Sequence, residues 1–215
     1  MRGRANLYAL GAIALWAGLA SLGVALRHVP PFLLTGIALL VGSLPAWPLW
    51  RQWKVSPGTL ALGVYGLFGY HLLLFLALRL APAVEANLVN YLWPLLIVVL
   101  APVALPGLRL RPAHVAGALL GFGGAAIAIL GARGEDASAG GWSWGYLPAL
   151  GAAFIWSTYS LLTKRVAAFP TAAIGLFGLV SGLLSLACHV LLEPRVALAG
   201  ADWLLLSVIG LGPLG

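Results

Sequence analysis

The chain has 215 residues, of which 62% are hydrophobic and only 8% charged, with a mean hydropathy of +1.02 and a net charge of +7. Soluble domains carry roughly 25% charged residues and need a polar surface at this length, so the composition excludes a soluble fold and places the chain in a lipid bilayer. The basic residues form no patch or basic helix, which excludes nucleic acid as a partner, and the single cysteine, Cys188, excludes an intrachain disulfide and any Cys/His metal spacing.

The opening "MRGR" precedes an apolar run over 5–26 that is too long for the core of a signal peptide and reads as an uncleaved first span. Further spans of about 20 residues follow at 31–50, 58–79, 82–103, 112–131, 145–166 and 171–192, seven in all. An eighth begins near 202 and has only about 13 residues before Gly215, so the chain is expected to stop in mid-helix. Arg2 with Arg4, Arg51 with Lys54, Arg109 with Arg111 and Lys164 with Arg165 mark the N-terminus and alternate loops. The intervening loops carry Arg27, Arg79, Arg133 and Arg195 singly. Eight against four predicts a cytoplasmic N-terminus, and Glu85, Glu135, Asp136, Glu193 and Asp202 lie at or near the outer ends.

"AIALWAGLASLGVALRHVPPFLLTGI" (12–37) and "GAAFIWSTYSLLTKRVAAFPTAAIGL" (151–176) share a frame: Trp16 and Trp156 each precede a proline, Pro30 or Pro170, by 14 residues. The first span runs inside to outside and the sixth outside to inside, so the copies are antiparallel, the inverted-repeat build of many secondary transporters with substrate near the midplane. "KVSPGTLALGVYGLFGY" finds a partial echo in "LAGADWLLLSVIGLGPLG". A second half mirroring the first brings the expected total to ten spans, seven complete and part of an eighth in this chain. The first repeat occupies 1–131, an outer loop 132–144, and an incomplete second repeat 145–215.

Polar groups at membrane depth are costly and need a reason. Asn87, Asn90, Tyr91 and Pro94 fall at i, i+3, i+4 and i+7 on one face of the fourth span, with Trp93 beside Asn90. The two amides can donate and accept together, suiting a zwitterion; they can equally be interhelical glue, a balance that is even for Asn87 and tilts to the site for the deeper Asn90. Pro94 is expected to act as a kink or hinge. Tyr70 and His71 stand near the middle of the third span, where His71 could carry a proton.

Trp16, Trp93 and Trp156 lie about 12 residues into their spans, away from the interfacial belt where membrane tryptophans gather. They are candidate walls for an aromatic substrate, or else bulky packing or gates, and Tyr159 extends the face of Trp156. Trp47, Trp50, Trp53, Trp142 and Trp144 fit the belt. Gly63, Gly66 and Gly69, and Gly117, Gly121 and Gly124, are spaced for close helix packing. A cation antiporter would want a carboxylate in mid-span, and Glu85 sits instead at an outer end. His28, His114 and His189 are scattered without partners at a useful spacing, and no nucleotide-binding motif appears, so neither a membrane enzyme nor ATP drive is supported. No catalytic residue, metal ligand or cofactor is expected.

"LWAGLASLG", "FLALRLAPAVEANLVNYLWPLLIVVLAPV" and "IWSTYSLLTKR" together resemble the EamA domains of the drug/metabolite transporter (DMT) superfamily, and within it the YddG-type aromatic amino acid exporters. The resemblance covers the whole chain. It implies an all-α integral membrane protein built as an inverted repeat of five-helix bundles, ten transmembrane helices when intact, around a central cavity lined chiefly by helices 1, 3, 4, 6, 8 and 9. It further implies a secondary carrier that exports amino acids without ATP hydrolysis; aromatic or neutral substrates, alternating access, a bacterial inner membrane and a monomer or homodimer are the expectations that go with it. A multidrug, cation or nucleotide-sugar-like carrier of the same superfamily is the alternative, ahead of a channel or a membrane enzyme. The candidate substrate residues are Trp16, Tyr70, His71, Asn87, Asn90, Tyr91, Trp93, Trp156 and Tyr159, with Pro94 as hinge.

Overall fold

The computed structural model describes residues 2–131 and 143–214, and every regular element among them is helical. Arg133, Glu135, Asp136, Trp142 and nearly all of the expected outer loop lie outside the described residues, as do the side chains of Arg2 and Arg4.

The helices are α1 (Arg2–Ala17), α2 (Leu19–Ala25), α3 (Pro31–Ser43), α4 (Pro57–Val64), α5 (Tyr70–Leu80), α6 (Ala83–Asn90), α7 (Trp93–Ala104), α8 (Pro112–Gly131), α9 (Tyr146–Leu162), α10 (Ala173–Leu192) and α11 (Gly200–Leu211). A 3₁₀ segment, Leu44–Gln52, continues α3, and one π-helical turn, Tyr65–Gly69, joins α4 to α5. Among the described residues, four helical stretches are long and apolar enough to cross a membrane, 31–52, 57–80, 83–104 and 173–192. The protein is therefore a multi-pass membrane protein.

Two expected spans are interrupted. The first breaks at Gly18, between α1 and α2. The fourth breaks at Tyr91 and Leu92, between α6 and α7. At the second break the cause is Pro94: it has no N–H for the Asn90 carbonyl one turn back, and its ring crowds that carbonyl. Leu92 N–H turns to Val89 O at 3.1 Å and the chain restarts as α7 with Pro94 in its first turn. Prolines also open α3 (Pro31) and α4 (Pro57), where a missing N–H costs nothing, and the Ser56 hydroxyl accepts from Thr59 N–H at 3.1 Å to cap α4.

The chain divides into two compact units, 1–55 with 169–215, and 56–168. In the first, α3 packs on α10 and α11. Gly36 and Gly182 mark the crossing, since a Cβ on either would come within 3.2 Å and 3.0 Å of the other's carbonyl oxygen. Leu34, Leu39, Phe177, Leu206 and Ile209 fill the interior. Lipid tails are as apolar as these side chains, so close packing and hydrogen bonds supply the association.

A polar clasp closes one end of this unit. The Glu193 carboxylate accepts from Phe32 N–H at 3.0 Å and Leu33 N–H at 3.2 Å, the open amides of the first turn of α3. His189 lies 2.9 Å from the same carboxylate, and Ser185 donates to Phe32 O at 2.8 Å. His28 meets Asp202 at 3.0 Å, while Asp202 also accepts from Ala199 N–H at 2.9 Å. His28 and His189 thus have carboxylate partners, contrary to the expectation of scattered histidines. His189 and Glu193 are four apart on one helix end, a readable spacing; His28 and Asp202 are 174 apart and meet only through the fold.

In the second unit α4, the π-turn, α5, α6 and α7 gather on α9. Gly66 and Gly69 face Tyr159 and Ile155 so closely that added Cβ atoms would lie 2.4 Å and 2.9 Å from those side chains. The expected packing role holds there. It does not hold for Gly117, Gly121 and Gly124 of α8, which have nothing within 4 Å among the described residues, because α8 lies only along the edge of α6 and α7 and leaves its glycine stripe open.

Candidate functional site

The mid-span polar and aromatic residues of the second unit converge where α5 and α6 meet α9. The Tyr70 ring lies 4.8 Å from the Trp156 ring, and Trp156 lies 5.6 Å from Tyr159, so three rings form a continuous wall across α5 and α9. Asn90, the last residue of α6, is 5% exposed, and its Nδ2 donates to the Tyr70 hydroxyl over a long 3.4 Å. The Asn90 Oδ1 is buried with no hydrogen-bond partner among the described residues. One end of the amide therefore fixes the phenol while the other keeps its accepting capacity.

His71 is buried, edge-on to Tyr70 at 5.0 Å and tilted against Phe75 at 6.2 Å. Its Nδ1–H donates to Leu67 O at 2.8 Å inside the π-turn. A carbonyl only accepts, so this bond places a proton on Nδ1 and leaves Nε2 as the acceptor of the neutral ring. The π-turn matters because it rotates α5 relative to α4 just ahead of Tyr70 and His71, a geometry that recurs at functional sites.

The wall stands because α9 is seated firmly. Gly66 admits the Tyr159 ring. Tyr65 OH bonds Thr158 Oγ1 at 2.8 Å. The Ser157 hydroxyl reaches Trp93 O at 2.9 Å and Ala153 O at 2.6 Å, sharing its single proton between the start of α7 and its own helix. Sequence reasoning missed Ser157; the only available signal was a hydroxyl beside Trp156, which reads as filler in a helix. Its role comes from the break before α7, which leaves the Trp93 carbonyl within reach.

Other candidates stand apart from this cluster. Asn87 is one turn before Asn90 on α6. Tyr91 falls on the break and is 41% exposed, so the four-residue face expected of a continuous helix is split between α6 and α7. Trp93 enters the cluster through its backbone carbonyl, and Pro94 is exposed in the first turn of α7. Trp16 belongs to the first unit, is 51% exposed, and gives its indole N–H to Pro213 O at 2.9 Å. Of the interfacial set, Trp47 donates to Ser43 Oγ at 3.1 Å, and Trp50 and Trp144 are strongly exposed.

Membrane-spanning helices interrupted by prolines, glycines and a π-turn around a buried aromatic and amide cluster are the build of a membrane transporter. The chain belongs to the EamA-like transporter family, whose profile matches residues 3–130. It is 42% identical over 237 residues to the aromatic amino acid exporter YddG of Ancylobacter novellus, in a match covering 100% of this chain and 77% of the relative. It also resembles a protein of known crystal structure at 43% identity and a TM-score of 0.81, covering 99% of this chain and 76% of that one.

Proposed function

We propose that the protein is a secondary transporter that exports aromatic amino acids across a bacterial inner membrane by alternating access, without catalysis. The observation that carries this reading is the Tyr70–Trp156–Tyr159 wall meeting the Asn90 amide. The rings offer an aromatic side chain stacking partners, each pair worth roughly 0.5–1.5 kcal/mol beyond burial. The Asn90 Oδ1 offers an ammonium group an acceptor at membrane depth. The identity with an aromatic amino acid exporter along the full chain supports the same assignment.

The architecture that goes with it is the inverted repeat, 1–131 and 145–215, with the N-terminus in the cytoplasm. In its favour, the two equivalent tryptophans each reach across to another span. Trp156 of the sixth span meets Tyr70 of the third, and Trp16 of the first meets Pro213 just after α11, the start of the eighth. Each compact unit also draws helices from both halves. His71, with Nε2 left to accept, is the group that would take a proton if export is proton-coupled, and the protein works as a monomer or homodimer.

The test is counterflow of labelled tryptophan, phenylalanine, threonine and methylviologen in proteoliposomes. Saturable exchange of the aromatic amino acids that Trp156→Ala abolishes is the expected result. Exchange of methylviologen alone, or aromatic exchange indifferent to both Trp156→Ala and Asn90→Ala, overturns the reading.

A further inference from the structure

One feature of the first unit takes no part in the transport reading. At the end of the span 31–52, Trp50, Arg51, Trp53 and Lys54 surround a cleft of about 500 Å³ whose remaining wall is Leu176, in the first turn of α10. We propose that this cleft binds the phosphate headgroup of an anionic phospholipid.

Four observations converge. The two cations are exposed at the cleft, and neither Arg51 nor Lys54 has an ion pair among the described residues. The acids of this unit, Glu193 and Asp202, are held by His189 and His28. Glu193 moreover lies past the C-terminal end of the 20-residue α10, about 25 Å of helix away from Leu176. Secondly, the positive end of the α10 dipole arrives at the cleft beside Leu176, adding to the field that favours an anion. Thirdly, two indoles, Trp50 and Trp53, line the cleft and offer it apolar faces. Lastly, the ring of Trp53 is seated rather than free: Gly175 gives it room, with a Cβ there falling 3.3 Å from Trp53 Cζ2, and Arg51 lies 5.9 Å over the Trp50 ring.

The chemistry fits a lipid better than a free anion. Indoles settle at the level of the headgroups, and a Lys or Arg near an anionic leaflet is attracted by its surface potential. Two cations beside two indoles at the end of a span can hold a phosphate at the level where a phospholipid presents it, while Leu176 and the indole faces meet the first methylenes of its chains.

The proposal is tested by native mass spectrometry of the purified protein titrated with phosphatidylglycerol or phosphatidylcholine. One phosphatidylglycerol is expected to bind at least about tenfold more tightly than phosphatidylcholine. The double substitution Arg51→Gln/Lys54→Gln should remove that preference. Trp53→Ala, which removes the indole face, should weaken it about threefold, and Arg109→Gln/Arg111→Gln, a basic pair outside the cleft, should leave it intact. Equal binding of the two lipids overturns the proposal, as does an equal loss from the Arg109/Arg111 pair, which would make the attraction a general one to basic loops. Displacement of phosphatidylglycerol by millimolar inorganic phosphate overturns it in favour of a free-anion site.

Discussion

Tyr70 and Trp156, 86 positions apart in sequence, stack at 4.8 Å across α5 and α9, and Asn90 of α6 donates to the same Tyr70 hydroxyl. Three helices are thereby tied at one phenol. A disturbance of Tyr70, Trp156 or Asn90 should register both in substrate affinity and in the fit of α5 against α9.

Trp156→Phe keeps an apolar ring and loses part of the stacking area. The expected cost is about 1 kcal/mol of substrate affinity, seen as a roughly fivefold rise in the half-saturating tryptophan concentration with little change in maximal exchange. Trp156→Ala should raise it further. Initial rates of tryptophan counterflow over a concentration series check this.

Asn90→Leu preserves volume and removes both the donor to Tyr70 and the buried Oδ1. The Tyr70 hydroxyl left unpaired costs roughly 1–3 kcal/mol, offset in part by deletion of the already unpaired Oδ1, so the variant should lose less thermal stability than this and lose affinity. An indole analogue lacking the amino and carboxyl groups distinguishes the two roles: its competition with tryptophan should change far less than that of phenylalanine.

Gly66→Ala places a methyl 2.4 Å from the Tyr159 ring. Overpacking of this kind costs roughly 1–3 kcal/mol. Tyr159→Ala in the same chain should recover most of it, and a double-mutant cycle of unfolding temperatures in detergent measures the coupling.

Pro94→Ala restores an N–H opposite the Asn90 carbonyl and removes the ring that crowds it. The break at Tyr91 and Leu92 should heal into a continuous helix, moving Trp93 O away from Ser157. Stability should hold or rise while the exchange rate falls, because a hinge that no longer bends slows the change between inward and outward states. Spin labels on the two ends of the expected span report whether it has straightened.

Glu193→Gln keeps one accepting oxygen and removes the charge that faces Phe32 N–H, Leu33 N–H and His189. Charge-assisted bonds at a helix start are worth roughly 1–3 kcal/mol, so the unfolding temperature in detergent should drop, and Glu193→Ala should drop it further. Both should leave the half-saturating tryptophan concentration unchanged, since the clasp belongs to the first unit.

For four of the seven expected spans, which residues are helical and apolar enough to cross was legible in the sequence, because lipid forces every backbone group to bond within its own segment and composition alone then places the span. The stretches 31–52, 57–80, 83–104 and 173–192 differ from the expected bounds by only one or two residues at nearly every end. The polar and aromatic candidates at mid-span were legible for the same reason, since each is costly there. Tyr70, His71, Asn90, Trp156 and Tyr159 could be singled out without knowing that they touch.

What touches what was decided by tertiary structure. Pro94 announced a bend, but only the restart at Trp93 showed that Tyr91 falls out of the face shared with Asn90 and that the Trp93 carbonyl comes within reach of Ser157. The glycines of the third and fifth spans are spaced alike, yet Gly66 meets Tyr159 while Gly121 meets nothing among the described residues, because spacing defines a smooth face and only the neighbour makes it an interface. His28 with Asp202, 174 residues apart, shows the same limit. Sequence periodicity acts within one helix; the pairing of helices in lipid rests on shape and a few hydrogen bonds, and those exist only once the chain is packed.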